Sequence, residues 1–151
     1  MSATPASAPL VDRLRDRGYR LTAQRRVVAE VLAGDNTHLS ADEVHTRAAA
    51  VLPEISRATV YSTLQQFSAL GEVRELALGG SAKLYDPNVV PRHHHLVCDH
   101  CETVFDVARG VDAPALAPQE RHGMVIEDAE IVYHGVCATC ASRAAHSATK
   151  E

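Results

Sequence analysis

The chain has 151 residues, 46% of them hydrophobic and 23% charged, with a formal net charge of −4. That composition fits one folded domain or two small ones and excludes wholesale disorder. No apolar run approaches the roughly 20 residues of a membrane-spanning helix, and the start, MSATPASAPLVDRLRDRGYR, lacks the basic-then-apolar order of a secretory signal, so a cytoplasmic protein is expected.

Residues 1–8 are small and polar and read as a disordered tail. A short helix is expected over Val11–Arg17, stopping at Gly18. Thr22 is a good N-cap for a second helix running through Leu32, with Val27, Val28, Val31 and Leu32 as its apolar stripe; Gly34, Asp35 and Asn36 end it. Ser40 and Glu43 form a capping box for a third helix reaching about Leu52, before Pro53. Ser56 caps a fourth, Arg57–Leu70, closed by Gly71.

After Gly71 the pattern changes: Val73–Leu78 and Ala82–Tyr85 flank Gly79-Gly80, a hairpin signal. Helices followed by a hairpin outline a winged-helix DNA-binding domain over residues 9–85, with the last helix as the recognition helix. Its first 26 residues hold six arginines against two aspartates, a basic face of the kind phosphate binding uses. Residues 86–92, DPNVVPR, read as a hinge, and 93–151 as a second domain; residues 85–151 carry five basic and ten acidic side chains. There His95–Cys98, Thr103–Val107 and Met124–Val136 read as strands. A helix near Ala113–His122 is expected too, with Pro114 and Pro118 against its first turns.

All four cysteines lie in that second part, as the pairs Cys98/Cys101 and Cys137/Cys140. In a reducing compartment such pairs favour metal over disulfides. Four thiolates suit a closed, structural Zn(II) site; a redox dithiol and an iron–sulfur cluster are the competing readings. His93-His94-His95 is a separate feature. In an extended segment His93 and His95 share one side and His94 takes the other. With carboxylates such as Asp86 and Asp106, imidazoles suit Fe(II) or Mn(II); the alternative is an exposed polar stretch. A small zinc hydrolase or dithiol oxidoreductase is a competing class, as is a protein-binding zinc module. With no H-E-x-x-H or nucleophile motif and no open zinc position, the expectation is that the protein is not an enzyme.

The segments G-Y-R-L-T-A-Q-R (Gly18–Arg25), T-H-L-S-A-D-E-V (Thr37–Val44), S-R-A-T-V-Y-S-T-L (Ser56–Leu64), L-Y-D (Leu84–Asp86), H-H-H-L-V-C-D-H-C (His93–Cys101) and Y-H-G-V-C-A-T-C (Tyr133–Cys140) occur in this order. In them the chain resembles the ferric uptake regulator (Fur) family of metal-dependent repressors over about Leu10–Cys140. The resemblance implies an α+β protein, a winged helix joined to a C-terminal α/β dimerisation domain, acting as a homodimer on palindromic A/T-rich double-stranded DNA operators. It assigns Cys98, Cys101, Cys137 and Cys140 to structural Zn(II). It assigns His38, Asp86, His93, His95 and Asp106 to a regulatory Fe(II) or Mn(II) site bridging the two domains. Arg57, Thr59, Tyr61, Ser62 and Thr63 would lie at the start of the recognition helix, with Tyr61 and Arg57 on base edges, Arg20, beside Tyr19, in the minor groove, and Arg25 and Arg26 on phosphates.

Asp rather than Glu at position 106, and the wording D-A-E-I-V-Y-H-G-V-C, resemble the peroxide-sensing and actinobacterial catalase-regulating branch. In that branch iron-bound histidines are oxidised, here His38 and His93, and the DNA is released. Control of iron uptake is the alternative, and a zinc-dependent enzyme a distant one. A second exchangeable site in many members needs a histidine near Ala129. Here the stretch is E-D-A-E, leaving at most a partial site at His94 and His122.

Overall fold

A computed structural model describes residues 8–34, 36–80, 82–89, 92–108 and 113–148. Of the expected tail only Ala8 falls within that range; Val90 and Pro91 of the expected hinge lie outside it. The chain divides into two compact units, Met1–Arg92 and His93–Glu151.

The first unit starts with α1 (Leu10–Asp16), α2 (Ala23–Val31), the short strand β1 (Leu39–Ser40), α3 (Ala41–Val51) and α4 (Arg57–Ala69). The helix starts follow the expected chemistry. Thr22 accepts from the Arg25 amide, Ser56 accepts from the Thr59 amide, and Ser40 and Glu43 complete a reciprocal capping box. The chain leaves α1 at Gly18 and α4 at Gly71 with φ of +73° and +74°, conformations that favour glycine. Leu14, Val28, Leu32, Val44, Val60, Leu64 and Phe67 are fully buried between these helices.

The hairpin forms from β2 (Arg74–Leu76) and β3 (Leu84–Asp86), antiparallel with Glu75 opposite Tyr85. The sequence reading missed β1, which pairs with the other edge of β3 and makes a three-stranded sheet of order β1-β3-β2. Leu39 lies opposite Tyr85, so the residue before β1, His38, comes beside Asp86 at the end of β3. Asp86, expected to open the hinge, is thus the last strand residue and is fully buried. A buried ion pair holds this end of the unit. Arg13 on α1 donates to Glu72 Oε2 at 2.7 Å, to the Glu72 carbonyl at 2.9 Å and to the Pro87 carbonyl at 2.7 Å.

The second unit is a three-stranded sheet of order β5-β4-β6, from β4 (His94–Cys98), β5 (Val104–Val107) and β6 (Val132–Gly135). β4 runs antiparallel to β5 and parallel to β6. Two expectations are corrected. The strand expected over Met124–Val136 is confined to β6, and Met124, Val125 and Ile126 lie exposed instead of pairing. The helix expected near Ala113–His122 shrinks to a 3₁₀ turn, Pro118–Arg121: proline supplies no amide donor, tolerates only the first turn, and Pro118 sits at its first position. The sequence reading also missed α5 (Ala138–Ala148), an alanine-rich helix that buries none of its residues. No helix among the described residues is long and apolar enough to cross a membrane.

Candidate metal centres

Cys98 ends β4, Cys101 follows in the adjoining turn, Cys137 precedes α5, and Cys140 lies in its first turn. Because β6 runs parallel to β4, Gly135 pairs with Cys98, and the second cysteine pair emerges beside the first. One sulfur from each residue lies within 4.8 Å of the others. The Cys101 and Cys137 sulfurs are 3.8 Å apart, beyond any disulfide. That separation matches the edge of a tetrahedron with metal–sulfur arms of about 2.3 Å, which is about 3.8 Å. The donor set fits Zn(II) and leaves no open position.

The thiols are electrostatically unequal before metal arrives. The Cys137 amide donates to Cys98 Sγ at 3.3 Å and pulls that thiol down to about 6. The Thr103 hydroxyl, 3.2 Å from Cys101 Sγ, lowers Cys101. Cys140 is pushed up to about 12, first by the hydrogen bond its thiol shares with Cys137 and then by burial.

The nitrogen and oxygen donors fall in both units. In the first, His38 Nε2 lies 3.6 Å from Asp86 Oδ2, with both side chains buried, and Asp86 Oδ1 accepts from the Asn88 amide at 2.8 Å. In the second, Asp106 faces His95 across the β4–β5 pair. Its Oδ1 lies 3.0 Å from His93 Nε2 and 3.7 Å from His95 Nε2, and the two imidazole rings meet edge to face at 4.6 Å. Three donor atoms therefore converge on one point beside β4. Neutral imidazoles with a carboxylate are the donors that Fe(II) and Mn(II) prefer. His94 turns the other way, as the strand alternation requires, and its Nδ1 accepts the Ile131 amide at 3.1 Å. His122 is exposed, and among the described residues no donor cluster forms around the two.

On the first unit, Tyr61 (45% exposed), Ser62 and Arg57 stand on the outer face of α4. Arg57 pairs there with Asp42, and Thr59 is engaged in the cap through Ser56. Thr63 is buried, which removes it from any contact surface. Arg20 is exposed. Tyr19 is half-buried: its hydroxyl bonds Gln66, its ring meets Phe67 at 5.8 Å, and the Arg25 guanidinium lies 5.0 Å over it. The sequence reading did not anticipate Gln66 as this partner, nor Glu130, whose carboxylate accepts from His95 Nδ1.

Residues 16–140 match the model of the ferric uptake regulator family. The chain belongs to the ferric uptake regulator family. Among curated relatives of this Fur chain is the transcriptional regulator FurA of Mycobacterium tuberculosis, 33% identical over 141 residues, or 93% of each chain. Another is the peroxide-responsive repressor PerR of Staphylococcus aureus, 33% identical over 132 residues, or 84% of this chain and 86% of the relative. A zinc-bound manganese uptake regulator superposes with a TM-score of 0.66 at 25% identity, covering 86% of this chain and 99% of its own. The Vibrio cholerae ferric uptake regulator superposes with a TM-score of 0.63 at 26% identity, covering 83% and 98%. The protein is a Fur-family transcriptional regulator and not an enzyme.

Proposed function

We propose that the chain is a homodimeric, cytoplasmic, metal-dependent repressor of palindromic A/T-rich operators, and that it senses peroxide through Fe(II). The observation that carries this reading is the convergence of His93, His95 and Asp106 on one point, apart from the four sulfurs. One centre is soft and closed, fit for a permanent Zn(II); the other is hard and fit for an exchangeable ion.

His38 and Asp86 complete the second ligand set. With ligands drawn from both units, ion binding and the relative setting of the two domains become one equilibrium. In a dimer that equilibrium fixes the spacing of two recognition helices over successive major grooves, so ion and operator strengthen each other's binding. Tyr61, Ser62, Thr59 and Arg57 read bases, Arg20 beside Tyr19 enters the minor groove, and Arg25 meets phosphate.

Asp at position 106 and the likeness to a peroxide-responsive repressor support peroxide as the signal. Fe(II), when bound, supplies the electrons that activate hydrogen peroxide. His38 and His93 would help hold the ion, and one of their rings would take one oxygen atom of the peroxide while the other leaves as water; the modified ring would be a poorer ligand. The test is mass spectrometry of the Fe(II) form after limited peroxide. A gain of about 16 Da, one oxygen atom, is expected on a peptide carrying His38 or His93, with the Mn(II) form unmodified. An unmodified Fe(II) form that keeps its DNA would rule out peroxide sensing and leave iron supply as the signal.

A further inference from the structure

Glu130 belongs to neither ligand set, yet it is the partner of a ligand. Its Oε1 accepts a hydrogen bond from His95 Nδ1, while His95 Nε2 faces Asp106 Oδ1 at 3.7 Å. The His95 side chain is fully buried, so both ring nitrogens are claimed by carboxylates away from bulk water. We infer that Glu130 is a positioning residue for the exchangeable ion: it holds the Nδ1–H tautomer of His95, fixes the ring plane, and presents the Nε2 lone pair to the metal. This rests on the assignment of His95 to the regulatory set.

Three observations carry it. First, the carboxylate is itself fixed in place. Glu130 directly precedes the residues that join β6 to β4: the His95 amide donates to the Ile131 carbonyl at 3.2 Å, and the Ile131 amide donates to His94 Nδ1 at 3.1 Å. Second, the same stretch disposes of both remaining faces of the histidine run. Ile131 occupies His94 and Glu130 occupies His95, leaving His93 and His95 directed at Asp106. Third, the chemistry is right for a ligand. A neutral imidazole binds metal through one nitrogen only if the other keeps the proton, and a carboxylate accepting that proton raises the donor strength of the ring. The E-D-A-E stretch, Glu127–Glu130, that lacks a histidine for a second site thus contributes to the first.

The test uses the zinc-loaded, full-length protein, labelled with ¹⁵N-histidine, as wild type, Glu130→Ala and Glu130→Gln. Zinc content and thermal melting serve as folding controls. Ring nitrogen shifts without added ion report the tautomer, and Mn(II) titration followed by electron paramagnetic resonance of the free ion reports affinity. The expected result is Nδ1–H at His95 in wild type and loss of that single tautomer in Glu130→Ala, with Mn(II) affinity reduced about 10–100-fold. Glu130→Gln, whose amide oxygen still accepts the proton, keeps the tautomer and loses less affinity. A Glu130→Ala protein with wild-type affinity and tautomer overturns this inference alone. If Glu130→Ala does not fold, a Glu130→Gln protein that loses the tautomer overturns it as well. A wild type that takes up no Mn(II) beyond its zinc overturns the regulatory site, and the inference with it.

Discussion

Four thiols within 4.8 Å of one another cannot all ionise in the absence of a cation, because each new negative charge raises the cost of the next. The protein resolves this by splitting them: Cys98 falls to about 6 under the Cys137 amide, and Cys140 rises to about 12. At neutral pH Cys98 is already largely thiolate, whereas Cys140 holds a proton that Zn(II) must displace. Zinc uptake by metal-free protein therefore releases protons, and affinity falls as pH falls, more steeply below about 6, where Cys98 protonates too. Calorimetry in buffers of different ionisation enthalpy checks this; a proton-neutral reaction with constant affinity from pH 5 to pH 8 contradicts it. The sulfur set was legible because C-x-x-C spacing is itself the geometry of chelation. His93 and His95 were legible as a pair because strand alternation separates them from His94. Glu130 was not, since its contact with a residue 35 positions away depends on the parallel register of β6 on β4, which no local pattern encodes.

At the scale of elements, the first unit follows its local signals closely. Thr22, Ser40 and Ser56 start helices where their side chains can satisfy free amides, and Gly18 and Gly71 end them. The hairpin strands also fall on the expected apolar runs, shorter than expected and with β3 reaching one residue further, to Asp86. What escaped were features set by tertiary pairing: β1, only two residues long, exists because β3 offers it an edge. In the second unit, the run Met124–Val136 read as a strand, yet only its last part, β6, lies in the sheet. The Arg13–Glu72 pair was equally invisible, since its members are 59 residues apart. Both side chains are 8% exposed, so removing one strands a buried charge. Glu72→Ala is expected to cost about 3–5 kcal/mol in urea denaturation. Ser40→Ala, which removes one exposed cap bond, is expected to cost about 1 kcal/mol. Equal costs would show that Arg13 finds another partner or water.

For the whole molecule, the second unit leaves apolar surface uncovered in a single copy. Leu96 pairs with Phe105 on one side and Tyr133 on the other, placing three large side chains in a row across one sheet face. They are 39%, 38% and 46% exposed, and Met124, Val125, Ile126 and Val136 add further uncovered apolar surface. Such a patch is the surface that the proposed homodimer would cover. Phe105→Asp is expected to convert a dimer to a monomer in sedimentation while zinc remains bound; a wild type that sediments as a monomer contradicts the proposed dimer. The proposed coupling of ion to DNA needs donors from both units, His38 and Asp86 from the first and His93, His95 and Asp106 from the second. The most direct test is fluorescence anisotropy of a labelled palindromic A/T-rich duplex at fixed salt, titrated with zinc-loaded protein with and without Mn(II). The account predicts tight binding only with Mn(II), abolished by Asp86→Ala although zinc is retained. Equal binding with and without Mn(II), or an Asp86→Ala protein that still responds to it, contradicts the account.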